Sequence, residues 1–388
     1  MFIVKIFMGI RRTLRNLFKT ESLKKSKILY NLYKTDYDRT VLISYITAPF
    51  ITENSFVHQN YVTSHIISKV FSKLAYNVDI VDYDADYLKL DYSKYSVIFG
   101  FGYNFERSFY IKDRNIPRIH FITGAHIDLQ NSMSLRGVRD FYSLSGIWLA
   151  KEANVLQQSC YYSSFDADAA VILAHGFVYE DYCSRFDNKV YSLNNNILNA
   201  FKEFRPKTKG NRNSNFLFLS GNGHTNKGLH ILLQVAKQRP DLVFHVVIHS
   251  LDETIGSYFK DVLDRANVFL HKSIRMDSEE MKAIIETCTY SIAPSYVDGL
   301  PGGTIEPMSA GLIPIVSKYC GFRKEAFIFE FSDLSAAGLN EIINQVLSLD
   351  DSTYIEYSEK VKAYACLNYS EEQIKEDLTK ILVAELSI

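Results

Sequence analysis

The sequence predicts an α/β fold in which two domains each contain a parallel sheet covered by helices. Two observations lead to this prediction: short strand-like runs alternate with helix-like stretches, and the alternation stops once and then restarts. The interruption, residues 201–215, is polar and basic and contains Pro206 and Gly210, which is typical of a linker. A length of 388 residues fits two domains of ordinary size.

Each element follows from its local pattern. In the first half, β-branched and aromatic runs predict strands at residues 40–46, 77–83, 95–102, 118–123 and 169–174, and apolar residues at helical spacing predict helices at 61–74 and 134–160. In the second half, the same criteria predict strands at 215–220, 242–248, 268–270, 290–294 and 313–317, and helices at 227–238, 278–286, 304–310, 337–347 and 370–386.

These elements predict a domain at residues 38–203, a linker at 204–214, a second domain at 215–365 and a C-terminal helix, 366–388, that is placed to pack back on the first domain. Two such sheets leave a cleft between the carboxyl ends of their strands, which is where ligands bind in open α/β folds.

Composition excludes several classes of protein. Hydrophobic residues make up 47% of the chain and charged residues 22%, which excludes wholesale disorder, and a net charge of −1 argues against a nucleic-acid partner. The five cysteines are an odd number without CxxC or Cys/His metal spacing, which is typical of reduced thiols in a cytosolic protein. The apolar stretches are shorter than the roughly 18–20 residues that a spanning helix needs.

Residues 1–37 form a separate basic extension. Residues 1–34 carry nine basic residues and one acid, and helical spacing puts most of the apolar side chains on one face. Such a helix either lies on an anionic membrane surface or packs on the protein's own body. Because the basic residues follow the apolar run instead of preceding it, the extension does not resemble a signal peptide. We therefore expect a cytoplasmic protein, peripheral on the inner face of the cell membrane.

A Gly-rich turn, residues 221–228 (GNGHTNKG), lies between a predicted strand and a predicted helix. Its glycines allow close backbone approach, the helix start presents free N–H groups, and Lys227 adds a positive charge, so the turn suits a phosphate. It has neither the Walker spacing nor the GxGxxG pattern of a dinucleotide site. An ordinary strand-to-helix turn remains the alternative.

A second motif runs from Asp298 to Glu306, from a loop after a strand into the start of a helix. The two acids flank Gly302 and Gly303, whose N–H groups are available to a ligand. This layout suits a molecule with a phosphate in its middle and hydroxyl groups at both ends, as in a nucleotide sugar. Alternatively, Asp298 belongs to an Asp-Gly turn and Glu306 favours a helix N-terminus.

The Asp-x7-Glu segment and the turn ending in Lys227-Gly228, about 70 residues apart, resemble the retaining GT-B glycosyltransferases, close to glycosyltransferase family 4 (glycosyl transferases group 1). The resemblance is specific over residues 215–320 and architectural over 38–200. It implies the GT-B fold, with two Rossmann-like domains facing a central cleft, and a nucleotide-sugar donor bound mainly by the second domain.

The resemblance also implies roles for individual residues. Lys227 would pair with the donor diphosphate, Asp298 would meet hydroxyls of the donor sugar, and Glu306 would bind the ribose. The complete set expected to contact the donor is Gly221, Asn222, Gly223, Lys227, Leu300, Gly302, Gly303, Thr304 and Glu306. Asn222 departs from the family, which usually has Arg there, and Asp298 is one methylene shorter than the usual Glu.

In the first domain the family's glycine-rich loop is replaced by residues 46–50, and its histidine by Thr123. His126, which follows the strand on the cleft side, is the candidate catalytic histidine beside Asp298 and Lys227, with His120 or a structural role as alternatives. His58 and Asn60 could also face the cleft, although a helix cap explains them as well.

The predicted activity is transfer of a sugar, with retention, to a lipid-linked or surface-polysaccharide acceptor, without a cofactor or metal ion. Asp166 and Asp168 match an Asp-x-Asp metal pattern but precede a strand and more simply cap a turn. The alternatives are a non-catalytic GT-B protein that binds a nucleotide sugar or a partner enzyme, and a nucleotide-sugar epimerase of the same fold. A Rossmann oxidoreductase is disfavoured because no GxGxxG follows the first strand.

Overall fold

The structure is a computed structural model that describes residues 28–51, 58–86, 90–111, 115–153, 155–156, 161–221 and 223–387. Residues 28–200 are called the N-terminal half below and residues 201–387 the C-terminal half. Each half is built on one six-stranded sheet, and every pair of neighbouring strands is parallel. The predicted pair of α/β sheets is thus confirmed.

The first sheet has the strand order β2-β1-β3-β4-β5-β6. Its strands are β1 (Arg39–Tyr45), β2 (Tyr76–Asp82), β3 (Val97–Gly100), β4 (Arg118–Ile122), β5 (Ala169–Ile172) and β6 (Lys189–Ser192). The second sheet has the order β12-β11-β10-β7-β8-β9. Its strands are β7 (Asn215–Ser220), β8 (Val243–Ile248), β9 (Val268–Lys272), β10 (Tyr290–Ala293), β11 (Ile313–Ser317) and β12 (Phe329–Phe331). The inner strands β3, β5, β10 and β11 are buried along their whole length, as expected for sheets covered on both faces.

Helices cover the sheets. Those of the N-terminal half are α1 (Gln59–Lys73), α2 (Tyr103–Arg107), α3 (Ile127–Ser145), α4 (Tyr161–Phe165) and α5 (Gly176–Cys183). Those of the C-terminal half are α6 (Leu229–Gln238), α7 (Glu253–Tyr258), α8 (Lys260–Leu263), α9 (Glu279–Thr287), α10 (Gly302–Met308), α11 (Ala336–Leu347), α12 (Asp351–Asn368) and α13 (Glu371–Leu386). None of the helices in the described ranges is both long and apolar enough to cross a bilayer.

Several element boundaries differ from the prediction. The helix predicted at 134–160 is α3, which begins after His126, because that side chain caps it, and ends at Gly146, whose φ of +71° is left-handed. Helix α12 was missed because it buries only a narrow and partly polar face that includes Tyr354, Ser358 and Val361.

The N-terminal extension is described only from residue 28. The proposed amphipathic helix therefore lies mainly outside the described residues. Residues 28–37 are not helical, which corrects the prediction for that part of the extension. Instead, Leu29 pairs antiparallel with Ile80 beside the edge strand β2, and the Asn31 backbone N–H donates to Asp79 at 2.8 Å.

The two halves exchange elements. Helix α13, from the end of the chain, packs on α1 and places Ile374, Leu378 and Leu382 in the apolar core of the N-terminal half. Conversely, α3 and the loop after it contribute Leu129, Met133, Val138, Phe141 and Leu149 to the main core of the C-terminal half. We call residues 127–153 the docking segment. Contacts of this kind hold the facing edges of the two sheets close together.

Candidate functional site

A cavity of about 880 Å³ lies between the two halves, where the loops after several parallel strands converge. The N-terminal half contributes His58, Gln59, Asn60, Thr123, Asn195, Leu198 and Ala200 to its wall. The C-terminal half contributes the ends of β7, β8 and β10, the loop after β9, Gly221, Lys227, Ser295, Asp298 and residues 300–304. This is the position expected for a ligand in an open α/β fold.

Lys227 and Asp298 meet on the wall of this cavity. The Lys227 Nζ donates directly to Asp298 Oδ2, and the two side chains are 25% and 18% exposed. Lys227 lies on the Gly-rich turn just before α6, and Asp298 lies in the loop that follows β10. Two residues far apart in the chain are therefore joined by an ion pair that a ligand can reach.

The loop from Asp298 to Thr304 is held by backbone contacts to both sheets. The Asp298 N–H donates to the Tyr319 carbonyl and the Leu300 N–H to the Leu173 carbonyl, both at 2.9 Å. The second of these bonds crosses from one half to the other. Leu300, Gly302, Gly303 and Thr304, all predicted to contact a donor, line the cavity. A Cβ at Gly303 would lie 2.1 Å from the Leu219 carbonyl oxygen, so only glycine fits there.

The Gly-rich turn is only partly exposed to the cavity. Gly221 lines it, whereas Gly223 turns away with a φ of +83° and packs on the Asn226 side chain. Asn222 lies outside the described residues. Gly228, at the N-terminus of α6, adopts a φ of +72° and packs against the Pro294 carbonyl. The helix start is thus fixed next to the loop that carries Asp298.

Glu306, which is predicted to bind ribose hydroxyls, is not among the residues that line the cavity in this structure. It is fully buried, and its carboxylate accepts hydrogen bonds from the Leu198 N–H at 2.7 Å and the Ala200 N–H at 3.0 Å. Burial raises the pKa of Glu306, while the two N–H donors and the Gln59 side chain oppose that shift. In this conformation Glu306 holds residues 198–200, which precede the linker, against α10.

His126 is also absent from the cavity wall, so its predicted catalytic place is not supported by this geometry. Its side chain is 1% exposed, caps α3 by accepting from the Asp128 N–H, and packs between Phe165 and Tyr182. Burial lowers the pKa of His126, as expected for a neutral structural histidine.

Other polar residues of the N-terminal half do line the cavity. Thr123, directly after β4, lies in its wall, and so do His58 and Asn60. His58 caps α1 as well, by accepting from the Asn60 N–H at 3.2 Å.

Sequence reasoning missed a second charged pair in the cavity. Arg275 and Asp277, in the loop after β9, line the wall and are joined by two hydrogen bonds of 3.0 and 2.8 Å. The sequence signal that could have indicated Arg275 and Asp277 is their position directly after a parallel strand. Since Lys227 and Arg275 each face an acid, the formal charges of these four lining residues cancel. An anionic ligand must therefore compete with a carboxylate for its cation.

Comparisons with known proteins agree with this geometry. Residues 200–380 match the family model of glycosyl transferases group 1. This group 1 region includes both Lys227 and the Asp298–Glu306 motif. No curated protein sequence matches the chain significantly.

Solved structures show the same fold. The chain is similar to sucrose-phosphate synthase from Thermosynechococcus elongatus, with a TM-score of 0.63 and 13% identity, covering 90% of this chain and 99% of the synthase. It is also similar to HepE from Anabaena in complex with UDP and glucose, with a TM-score of 0.55 and 11% identity, covering 90% of this chain and 100% of HepE. The two parallel sheets that face a cleft, together with the similarity to these solved structures, establish the GT-B fold around the group 1 region.

Proposed function

We propose that the chain is a retaining glycosyltransferase, of the family 4 type, that binds a nucleotide-sugar donor in the cavity between its halves. The observation that carries the proposal is the meeting of Lys227 and Asp298 on the wall of a cavity of about 880 Å³, within the group 1 region. A nucleotide sugar fits a cavity of this size. HepE, which shares the fold, is described in complex with UDP and glucose and with UDP-glucose, which supports a donor of this class.

The ion pair suggests how the donor is received. A diphosphate offers Lys227 more negative charge than one carboxylate does, so it displaces Asp298 from the ammonium group. Asp298 then becomes free to accept a hydrogen bond from a sugar hydroxyl. Backbone N–H groups near Leu300 to Gly303 would meet the sugar and the phosphates. The predicted roles of Lys227 and Asp298 thus both require that the observed ion pair between them break.

Transfer requires that the departing diphosphate be stabilised as its charge grows. Lys227 and the N–H groups of the neighbouring loops supply this stabilisation in a cleft that excludes most water, and such electrostatic effects are usually the largest in catalysis. The proposed reaction is a front-face substitution in which the leaving phosphate helps to take the acceptor's proton. It uses no protein nucleophile, cofactor or metal ion.

For the acceptor we propose a lipid-linked glycan or a surface polysaccharide, reached from the cytoplasmic face of the membrane. The net charge of +8 in residues 1–34 supports an anionic lipid surface as a partner. Co-sedimentation with vesicles containing anionic lipid, with and without residues 1–34, tests this part of the proposal. Equal binding by both forms would contradict it.

Donor binding is tested by thermal shift of the full chain with UDP-glucose, GDP-glucose, ADP-glucose and the corresponding diphosphates. A ligand at 100 times its Kd stabilises the folded state by about 2.7 kcal/mol. We expect one nucleotide series to raise the Tm and Lys227→Ala to abolish the rise. The matched control is Lys237→Ala, whose ammonium lies on α6 and pairs with Asp261 at 3.0 Å, away from the cavity.

Activity is then followed with the labelled donor that binds. Release of labelled sugar to water or to an acceptor supports a transferase, and NMR of the product's anomeric carbon shows whether configuration is retained. Binding without turnover, or release of a free epimer in the absence of any acceptor, would contradict the proposal. Inversion would contradict the retaining mechanism alone.

A further inference from the structure

The docking segment, residues 127–153, comes from the N-terminal half of the chain but packs on the C-terminal half. The Phe141 ring contacts His230, Tyr258 and Phe259, and the Tyr258 hydroxyl donates to the Leu144 carbonyl at 3.0 Å. A Cβ at Gly137 would lie 2.9 Å from the Thr225 carbonyl oxygen, so α3 lies directly against the Gly-rich turn. The segment is therefore well placed to control the shape of that turn.

Glu152, at the end of the docking segment, binds the turn at His224 and Thr225, which do not line the cavity. Its carboxylate accepts from the Thr225 N–H at 2.7 Å, the Thr225 Oγ1 at 2.6 Å and the His224 N–H at 3.0 Å, and it also contacts His224 Nδ1. The Glu152 side chain is 16% exposed. One side chain thus satisfies two successive backbone N–H groups at the point where the turn approaches α6.

His224 continues this network into the C-terminal half. Its Nε2 lies 2.9 Å from the Ser250 carbonyl oxygen. Nδ1 faces the Glu152 carboxylate, and Nε2 lies near both this carbonyl oxygen and the Asp252 N–H, which is 3.3 Å away. The two oxygen acceptors favour a doubly protonated ring, whereas the Asp252 N–H favours an unprotonated Nε2. Burial lowers the pKa of His224, but the Glu152 and Ser250 contacts outweigh this effect and the net result is a raised pKa. The contact between Glu152 and His224 joins the two halves at the Gly-rich turn.

We propose that Glu152 is a positioning residue for the donor diphosphate: it holds the Gly-rich turn so that Gly221 and Lys227 face the cavity. This inference rests on the proposed function. Without Glu152, the His224 and Thr225 N–H groups lose their acceptor, and the turn relaxes toward other partners. Lys227, two residues further on, moves with it and no longer meets a diphosphate in the required place.

The direction in which Glu152→Gln changes the affinity for a diphosphate distinguishes a positioning role from a direct electrostatic effect. Glu152→Gln removes a negative charge near the proposed diphosphate site, which by Coulomb's law alone strengthens anion binding. If His224 loses its proton as a result, the local net charge is unchanged. Neither case weakens the binding of a diphosphate, so a loss of affinity in Glu152→Gln reports a displaced turn.

The test measures Kd for UDP and for uridine by calorimetry on the full chain, with GDP and guanosine, and ADP and adenosine, alongside. We expect Glu152→Gln to weaken binding of the preferred diphosphate about tenfold, as is common for coupled neighbours, and to leave the nucleoside unchanged. The matched control is Asp140→Asn. Asp140 lies in the same docking segment and accepts from the Tyr296 hydroxyl at 3.0 Å, but it does not contact the turn. This variant should bind both probes like the wild type.

Hydrogen exchange of the ligand-free protein provides a readout that needs no donor. Glu152→Gln should speed exchange of the His224 and Thr225 amides while those of the β7 strand keep their protection. Unchanged exchange in the turn, or equal weakening of diphosphate and nucleoside, overturns the positioning role. Failure of the wild type to bind any of the nucleotides would instead remove the proposed function, and with it the role assigned to Glu152. The wild-type measurement therefore distinguishes the two failures.

Discussion

Replacing Glu306 with alanine tests whether this buried carboxylate holds residues 198–200, which precede the linker. The substitution removes the acceptor of the Leu198 and Ala200 N–H groups, which lie 2.7 and 3.0 Å from the carboxylate. A buried donor left without a partner costs about 1–3 kcal/mol, and Leu198 and Ala200 are partly buried, so the two together should lower the free energy of unfolding by at most about 2–6 kcal/mol. Glu306→Gln keeps one carbonyl oxygen and should lose about half as much.

The assay is urea unfolding at pH 7, followed by far-UV circular dichroism and by the fluorescence of Trp148. A free energy is extracted only where the two transitions coincide, because a chain with two sheets need not unfold in one step. Glu341→Ala, at an exposed position on α11, is the matched control and should change stability by less than about 0.5 kcal/mol. A Glu306→Ala variant as stable as this control, but with weakened donor binding, would refute the reasoning and restore the ribose-binding role.

Three further predictions concern the cavity and the turn. Asp298→Asn should strengthen UDP binding several-fold, because the diphosphate no longer competes with a carboxylate for Lys227, and it should slow sugar transfer. Calorimetry measures the first effect and a labelled-donor assay the second. Weaker UDP binding would contradict the proposal that the diphosphate displaces Asp298 from Lys227. The pKa of His224 is raised above its usual 6.5 and that of Glu152 lowered below its usual 4.5, so the stabilisation from the pair is full between these values. It is lost as the pH rises through the raised pKa or falls through the lowered one. The advantage of the wild type over Glu152→Gln in urea midpoints should therefore shrink at pH 9 and at pH 3, and a constant difference would argue against a charged pair. Gly228→Ala should destabilise the protein far more than Gly146→Ala, although φ is +72° and +71° at the two sites. The reason is that a Cβ at 228 would lie 2.0 Å from a backbone carbonyl oxygen, whereas one at 146 meets nothing within 4 Å. Thermal unfolding of both variants measures the difference, and equal decreases in Tm would show that backbone strain alone matters.

The fold was predictable from sequence because its signal is local. Strands such as those beginning at Asn215 and Tyr290 are short apolar runs, and the alternation with helices already implies parallel sheets. Lys227 and Asp298 were predictable for a similar reason, since each follows a strand whose carboxyl end must face the cleft. The ion pair between them needed the tertiary structure.

Residues whose roles depend on distant contacts could not be assigned in this way. Glu306 has the sequence position of a helix-start acid, but the residues that bind its carboxylate, Leu198 and Ala200, lie more than 100 residues earlier. Glu152 carries no local signal at all, because its partners are 72 and 73 residues away. His126 follows a strand, as a cleft residue should, yet its role as cap of α3 turns its side chain into the core.

The exchange of α13 and the docking segment between the halves constrains how such an enzyme can be recombined. A chimera joined at the linker, with one parent on each side, would set the α13 of one parent on the α1 of the other, and one parent's Glu152 against the other's turn. A chimera of two relatives therefore requires compatible residues at both contacts, α13 with α1 and Glu152 with the Gly-rich turn. A chimera that keeps residues 127–153 and 371–386 together with the sheets on which they pack would preserve these contacts. The packing units of the molecule are therefore not contiguous in its gene.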